Sequence, residues 1–238
     1  MMLWLVNVVL LVGAISAQKC EDSAKVCDIP KQFKSYIMSY SKEGHETEIS
    51  AGDIAYDGAN KRFYMEGFTF NLNKKFHSFK PHVKQMNFKL LVLYSKNKTY
   101  FANTDENWCF ISNKPEQFMP IEVPSDSKCL AEPTIGSDAK NLESLDTIAW
   151  GLKGDSFALA FQVTNGNCLP IMVKAMANLG HREKALYNTE FFNVDPTVSD
   201  TDFGIPEECS STSENVKEYN LDWVHSFLRE NILMTKYL

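Results

Sequence analysis

Apolar and polar positions alternate with a period of two along most of this chain, and a helical period surfaces only near its C-terminus. Phe157, Leu159, Phe161 and Val163 alternate with Ser156, Ala158, Ala160 and Gln162, which predicts a half-buried strand. Phe33, Ser35, Ile37 and Ser39 lie opposite Lys34, Tyr36, Met38 and Tyr40. Phe63 and Met65 share one face of a further run, with Tyr64, Phe68 and Phe70 on the other. Phe88 to Tyr94 is apolar on both faces and predicts a central strand.

Turn chemistry divides these runs. Asp57-Gly58-Ala59-Asn60 predicts a hairpin between Ile49–Tyr56 and Lys61–Phe70. Ser95-Lys96-Asn97-Lys98 predicts another between Leu90–Tyr94 and Thr99–Ala102, and Thr164-Asn165-Gly166-Asn167 follows the strand at Phe157. Strands at this spacing, with polar turns between them, predict an antiparallel sandwich or open barrel. Pro115 to Glu132 reads as a long surface loop tied down at Cys129. Ser211 and Glu214 have capping-box spacing. Val216, Tyr219, Trp223, Val224, Phe227 and Leu228 then recur at helical steps. An amphipathic helix over residues 211–238 follows, packed on the sheet or turned toward a partner or membrane. No second domain boundary or repeat is visible, so residues 18–210 form one domain.

The first 17 residues change the compartment. Met1 to Ala17 is uncharged and apolar and ends in Ala14-Ile15-Ser16-Ala17, which reads as a signal peptide. Cys20, Cys27, Cys109, Cys129, Cys168 and Cys209 all follow it, and an even count in an oxidising compartment predicts three disulfides. A secreted or lysosomal destination is expected. A net charge of −6 argues against nucleic acid as a partner. The lysines of the first third, such as Lys34, Lys42, Lys61 and Lys89, leave two readings open: a solvated face, or contact with anionic lipid or glycan.

Candidate chemistry is sparse. Asn97-Lys98-Thr99 is the one Asn-x-Ser/Thr sequon, on a predicted hairpin tip, and predicts a glycan at Asn97. No nucleophile elbow, zinc helix or phosphate loop occurs, and five scattered histidines lack metal-ligand spacing, so an enzyme is not expected. Asp195, Asp200 and Asp202 lie in an acidic segment without EF-hand spacing. Calcium or plain solvation are both open for it. Sixteen Phe and nine Met supply a core, and a surplus would line a cavity, since Met adapts to irregular ligands.

Taken in order, Cys27-Asp28-Ile29-Pro30, the run Ile54 to Arg62, Leu91-Val92-Leu93-Tyr94, Cys109, Trp150-Gly151, Cys168-Leu169-Pro170 and Phe191 to Pro196 ahead of Cys209 resemble the ependymin family. The resemblance spans about residues 27–210. It implies secreted or lysosomal glycoproteins, often dimeric, built of two stacked antiparallel sheets around a deep apolar pocket. It also implies lipid binding, calcium-linked behaviour and attachment to extracellular matrix. It pairs Cys27 with Cys168 and Cys109 with Cys209. The family's third bridge lacks its cysteines here, which leaves Cys20 and Cys129 to each other.

The expected molecule is therefore mainly β: an open sandwich or half-barrel with an apolar pocket and a C-terminal helix. Its expected ligand is a fatty acid or other lipid, held by Tyr36, Met38, Tyr56, Phe63, Met65, Leu90, Val92, Phe157, Leu159 and Phe161. The rivals are a calcium-linked matrix or adhesion protein with a merely packed sandwich, and a hydrolase whose triad assembles only in space.

Overall fold

The computed structural model describes residues 20, 25–43, 46–73, 82–113, 118, 120–136, 143–180 and 183–210. The leader and the helix expected over residues 211–238 lie outside the described residues. Twelve strands are present among the described residues. The first six are β1 (Gln32–Glu43), β2 (Glu46–Asp57), β3 (Arg62–Asn73), β4 (His82–Leu93), β5 (Lys98–Asn103) and β6 (Trp108–Ser112). The others are β7 (Lys128–Ala131), β8 (Thr134–Gly136), β9 (Ser144–Lys153), β10 (Phe157–Thr164), β11 (Pro170–Gly180) and β12 (Glu183–Asp195). One helical turn, α1 (Glu207–Ser210), follows.

The strands form a single antiparallel sheet in the order β6-β5-β4-β3-β2-β1-β12-β11-β10-β9-β7, with β8 on β9. This differs from the expectation of two separate stacked sheets. Two meanders do form, β1 to β6 and β9 to β12, but β1 pairs with β12 along almost its whole length and joins them. The sheet is not closed, since β6 and β7 end its order. Hydroxyls fasten the seam: Ser39 and Thr189 share a 2.9 Å hydrogen bond, and Ser35 donates to the Phe192 carbonyl at 2.8 Å.

Alternation decides what each strand buries. In β10 Leu159, Phe161 and Val163 are buried, while their neighbours are half-buried. β4 is covered on both faces, as its apolar run predicts. Phe88, Leu90 and Val92 enter the main core, while Leu91 enters a second cluster with Ala55, Tyr100, Ala102 and Phe203. That second cluster exists because residues 198–209 cross the outer face there, held by the Cys109–Cys209 bridge. The loop expected on the surface between Pro115 and Glu132 departs from expectation. Ile121 and Val123 are buried in the main core, Phe118 packs on it, and part of the segment pairs as β7.

Gly52 and Gly67 face each other across β2 and β3. A Cβ on Gly52 would fall on the Glu66 carbonyl oxygen and 2.7 Å from the Gly67 Cα. The two backbones approach too closely there for any other residue, and glycine pairs of this kind mark a bend in a sheet.

Candidate functional site

One face of the sheet gathers most of the residues that the sequence nominates for a ligand. Tyr56 (β2), Phe63 and Met65 (β3), Leu90 and Val92 (β4), and Leu159 and Phe161 (β10) are all buried in the main cluster, and Phe157 packs against it. They come from both sides of the β1–β12 seam. Aromatic rings connect them to their surroundings: Phe33 lies 5.3 Å from Tyr56 and 6.0 Å from Phe191, and Phe118 stacks on Tyr56 at 6.3 Å.

Tyr36 and Met38 do not join this group. In β1 the buried positions are Phe33, Ser35, Ile37, Ser39 and Ser41, so Tyr36 and Met38 point to the outer face, where Met38 is 46% exposed. A strand presents alternate faces, and reading it one residue out of phase exchanges every side chain. Both faces of β1 carry apolar groups, and the serines of the inner one suggest solvent. Ser35 and Ser39 are accommodated inside because they bond across the seam, to the Phe192 carbonyl and the Thr189 hydroxyl.

Polar atoms inside the core are few. The Tyr56 hydroxyl accepts the Ile121 amide at 3.1 Å. Burial raises its pKa, and the Ile121 hydrogen bond opposes the rise. Tyr94 is pushed well above the ordinary phenol range, first by burial and then by Tyr56. The hydroxyl row Ser39, Ser50, Thr69 and Thr189 and the buried indole of Trp150 escaped the sequence reading. The available signal was the small hydroxyl residues standing where alternation calls for apolar ones.

The run Tyr56 to Arg62 proves to be turn architecture. Asp57 accepts the Asn60 backbone amide at 3.0 Å, the Asn60 side chain at 2.8 Å and the Arg62 Nε at 2.9 Å. Burial alone would raise the Asp57 carboxyl, but the Asn60 and Arg62 bonds outweigh it and hold the group below its usual value. Arg62 also reaches Asp200 at 2.8 Å and lies 4.1 Å over the Phe203 ring.

The calcium candidates are each engaged within the chain. Asp195 accepts the Thr197 amide and hydroxyl at 3.0 and 2.6 Å. Asp200 pairs with Arg62. Asp202 accepts the Ser199 amide at 2.6 Å and lies 3.6 Å from Lys34. Among the described residues, the metal-ligating side chains that cluster are Cys20, Cys129 and Glu132, and both sulfurs there are spent in a disulfide.

Asn97 is exposed, with φ of 50° at the end of the tight turn Tyr94–Lys96. Thr99, two residues on, is buried and its hydroxyl has no partner. Cysteines pair as Cys27–Cys168 and Cys109–Cys209, as the resemblance implies, and as Cys20–Cys129, the two that it leaves over. Two depressions on the molecule are polar. A groove of about 390 Å³ lies on the outer face between Lys34, Asp53, Tyr64, Glu66 and the 201–207 segment. A second, of about 670 Å³, lies at the hairpin tips around Lys61, Arg62 and Lys96. Neither suits a hydrocarbon chain.

The family model described as Ependymin matches residues 82–209, more than half of the chain, from the start of β4 into α1. No curated protein matches. Among solved structures, an uncharacterized conserved protein from Thermus thermophilus is similar at 9% identity. The alignment covers 79% of this chain and 89% of that one, with a TM-score of 0.39.

Proposed function

The chain belongs to the ependymin family, and on that premise we propose that it is a secreted glycoprotein that holds a fatty acyl chain or related lipid against the inner face of its sheet. The observation that carries this reading is the convergence of Tyr56, Phe63, Met65, Leu90, Val92, Leu159 and Phe161 on one apolar cluster. In this reading the two meanders fold toward each other about the β1–β12 seam, and the ligand lies between their inner faces. Ten methylenes at about 0.8 kcal/mol each offset the entropy of association. Three disulfides, and no free cysteine among the described residues, support an oxidising compartment.

Native mass spectrometry of protein secreted from eukaryotic cells tests the reading. The expected spectrum carries a glycan mass that Asn97→Gln removes and a lipid mass that organic extraction removes. Fluorescent fatty acid should bind the extracted protein, and Phe161→Trp should weaken that binding by filling space. Protein with no extractable lipid and no affinity for the fluorescent fatty acid would overturn it.

A further inference from the structure

We infer that residues 211–238 dock as an amphipathic helix on the outer face of the sheet, over an apolar patch that straddles the β1–β12 seam. The inference does not depend on the carrier reading, which concerns the opposite face. Register sets the patch. Tyr36 pairs with Phe192, Met38 with Glu190, Lys42 with Leu186, and Leu186 with Met176 in β11. Residues directly opposite each other share a face, so these neighbours stand on the outer face with Tyr36 and Met38. Phe192 is 42% and Met176 53% exposed, and Met38 and Leu186 are exposed between them. The Tyr36 and Phe192 rings lie 6.4 Å apart. Glu190 and Asn188 interrupt the patch in β12, and the Asn188 amide donates to the Glu190 carboxylate at 3.2 Å. Apolar residues scattered singly over a surface need no explanation, but a cluster of this kind marks an interaction site.

The path of the chain names the occupant. Cys209 is bonded to Cys109, and Cys109 begins a cross-strand row that continues in register through Ala102, Lys89, Glu66, Asp53, Tyr36 and Phe192. Residues 198–209 cover the outer face on one side of this row, over Ala55, Leu91 and Tyr100. Phe68 and Met38, both paired with Ala51, stand in the next outer row on the other side, where Met38 is exposed. The chain after Ser210 therefore starts from a point level with the patch. From β6 the distance along the sheet is roughly 24 Å to β1 and roughly 34 Å to β11, at about 4.8 Å per strand. Residues 211–238 span about 42 Å as a helix, enough to reach from the anchor to β11.

Their sequence supplies the matching surface. Val216, Tyr219, Trp223, Val224, Phe227 and Leu228 form one apolar stripe at helical spacing. Helical segments in proteins take most of their stability from packing such a stripe. The tether at Cys209 favours this segment over a second copy, because it raises the local concentration to the order of millimolar.

Methionine oxidation and amide exchange test the inference on the full chain and on a chain stopped after Ser210. Peroxide should oxidise Met38 and Met176 about tenfold faster in the shortened chain, as read by mass spectrometry, while Met65, buried on the inner face, reacts slowly in both. In the full chain Met176→Asp places a charge on the patch, and amide exchange over residues 216–228 should rise about tenfold. That variant decides the matter if the shortened chain does not fold. The segment undocks before the sheet unfolds, so both readouts are local and the urea midpoint of the sheet stays in place. Equal oxidation of Met38 and Met176 in the two chains, or exchange that Met176→Asp leaves unchanged, overturns the inference. So does protection that persists in the shortened chain and fades on dilution, which assigns the patch to a second copy. Exchange over residues 216–228 that slows only when anionic phospholipid vesicles are added overturns it too, and assigns the stripe to a membrane.

Discussion

Asp57 shows how much chemistry one residue absorbs for structural ends. Its side chain is 1% exposed, and Arg62 lies 2.9 Å away. The sequence marks Asp57-Gly58-Ala59-Asn60 as turn residues. It does not show that Arg62 ties this turn to Asp200 and Phe203, because that contact depends on where the chain returns after β12. The carboxyl titrates below its ordinary value, so its stabilisation is fully present above about pH 4 and is lost as pH falls through the folded value. Asp57→Asn should therefore flatten the acid limb of the stability curve. It should also cost about 3 kcal/mol at neutral pH, since it leaves Arg62 without its buried partner. Urea unfolding between pH 7 and 3 is the measurement. Parallel acid losses in variant and wild type would assign the titration to another group.

At the level of elements, periodicity is legible and facing is not. The alternation of β10 and the two-sided burial of β4 follow directly from their apolar positions. β1 has two faces of similar apolarity, Phe33 and Ile37 against Tyr36, Met38 and Tyr40, and its serines lie on the inner one. Their burial depends on partners in β12, which no local pattern announces. Adjacent substitutions separate the faces. Ile37→Ala should cost about 2–5 kcal/mol, the range for emptying a buried aliphatic site. Met38→Ala should change stability by no more than about 0.5 kcal/mol, as exposed positions do. Urea midpoints on the two variants check this. A larger loss at Met38 than at Ile37 would reverse the face assignment.

For the molecule as a whole, the decisive contact is the β1–β12 seam, which joins meanders far apart in sequence; Ser39 and Thr189 are 150 residues from each other. Local turn signals recover the hairpins inside each meander but say nothing about which strands meet at the ends, and so the single sheet was not legible. Two of the cysteine pairs were, since Cys27–Cys168 and Cys109–Cys209 follow the family order. Cys27 precedes β1, and Cys168 ends the turn after β10. With the order β1-β12-β11-β10, their bond is a staple laid across the seam and the two strands beyond it. It closes a separation of 141 residues, which in the chain-entropy picture is worth about 5 kcal/mol through the unfolded state. Replacing both cysteines by alanine should lower stability by about 2–5 kcal/mol in urea. Because the staple bridges the seam, amide exchange should rise first at the β1–β12 ladder, at Ile37 to Ser41 and Tyr187 to Phe191, before it rises in β3 and β4. Uniform exchange across all strands would mean that the bond constrains only the unfolded chain. An unchanged urea midpoint would mean that it constrains neither state.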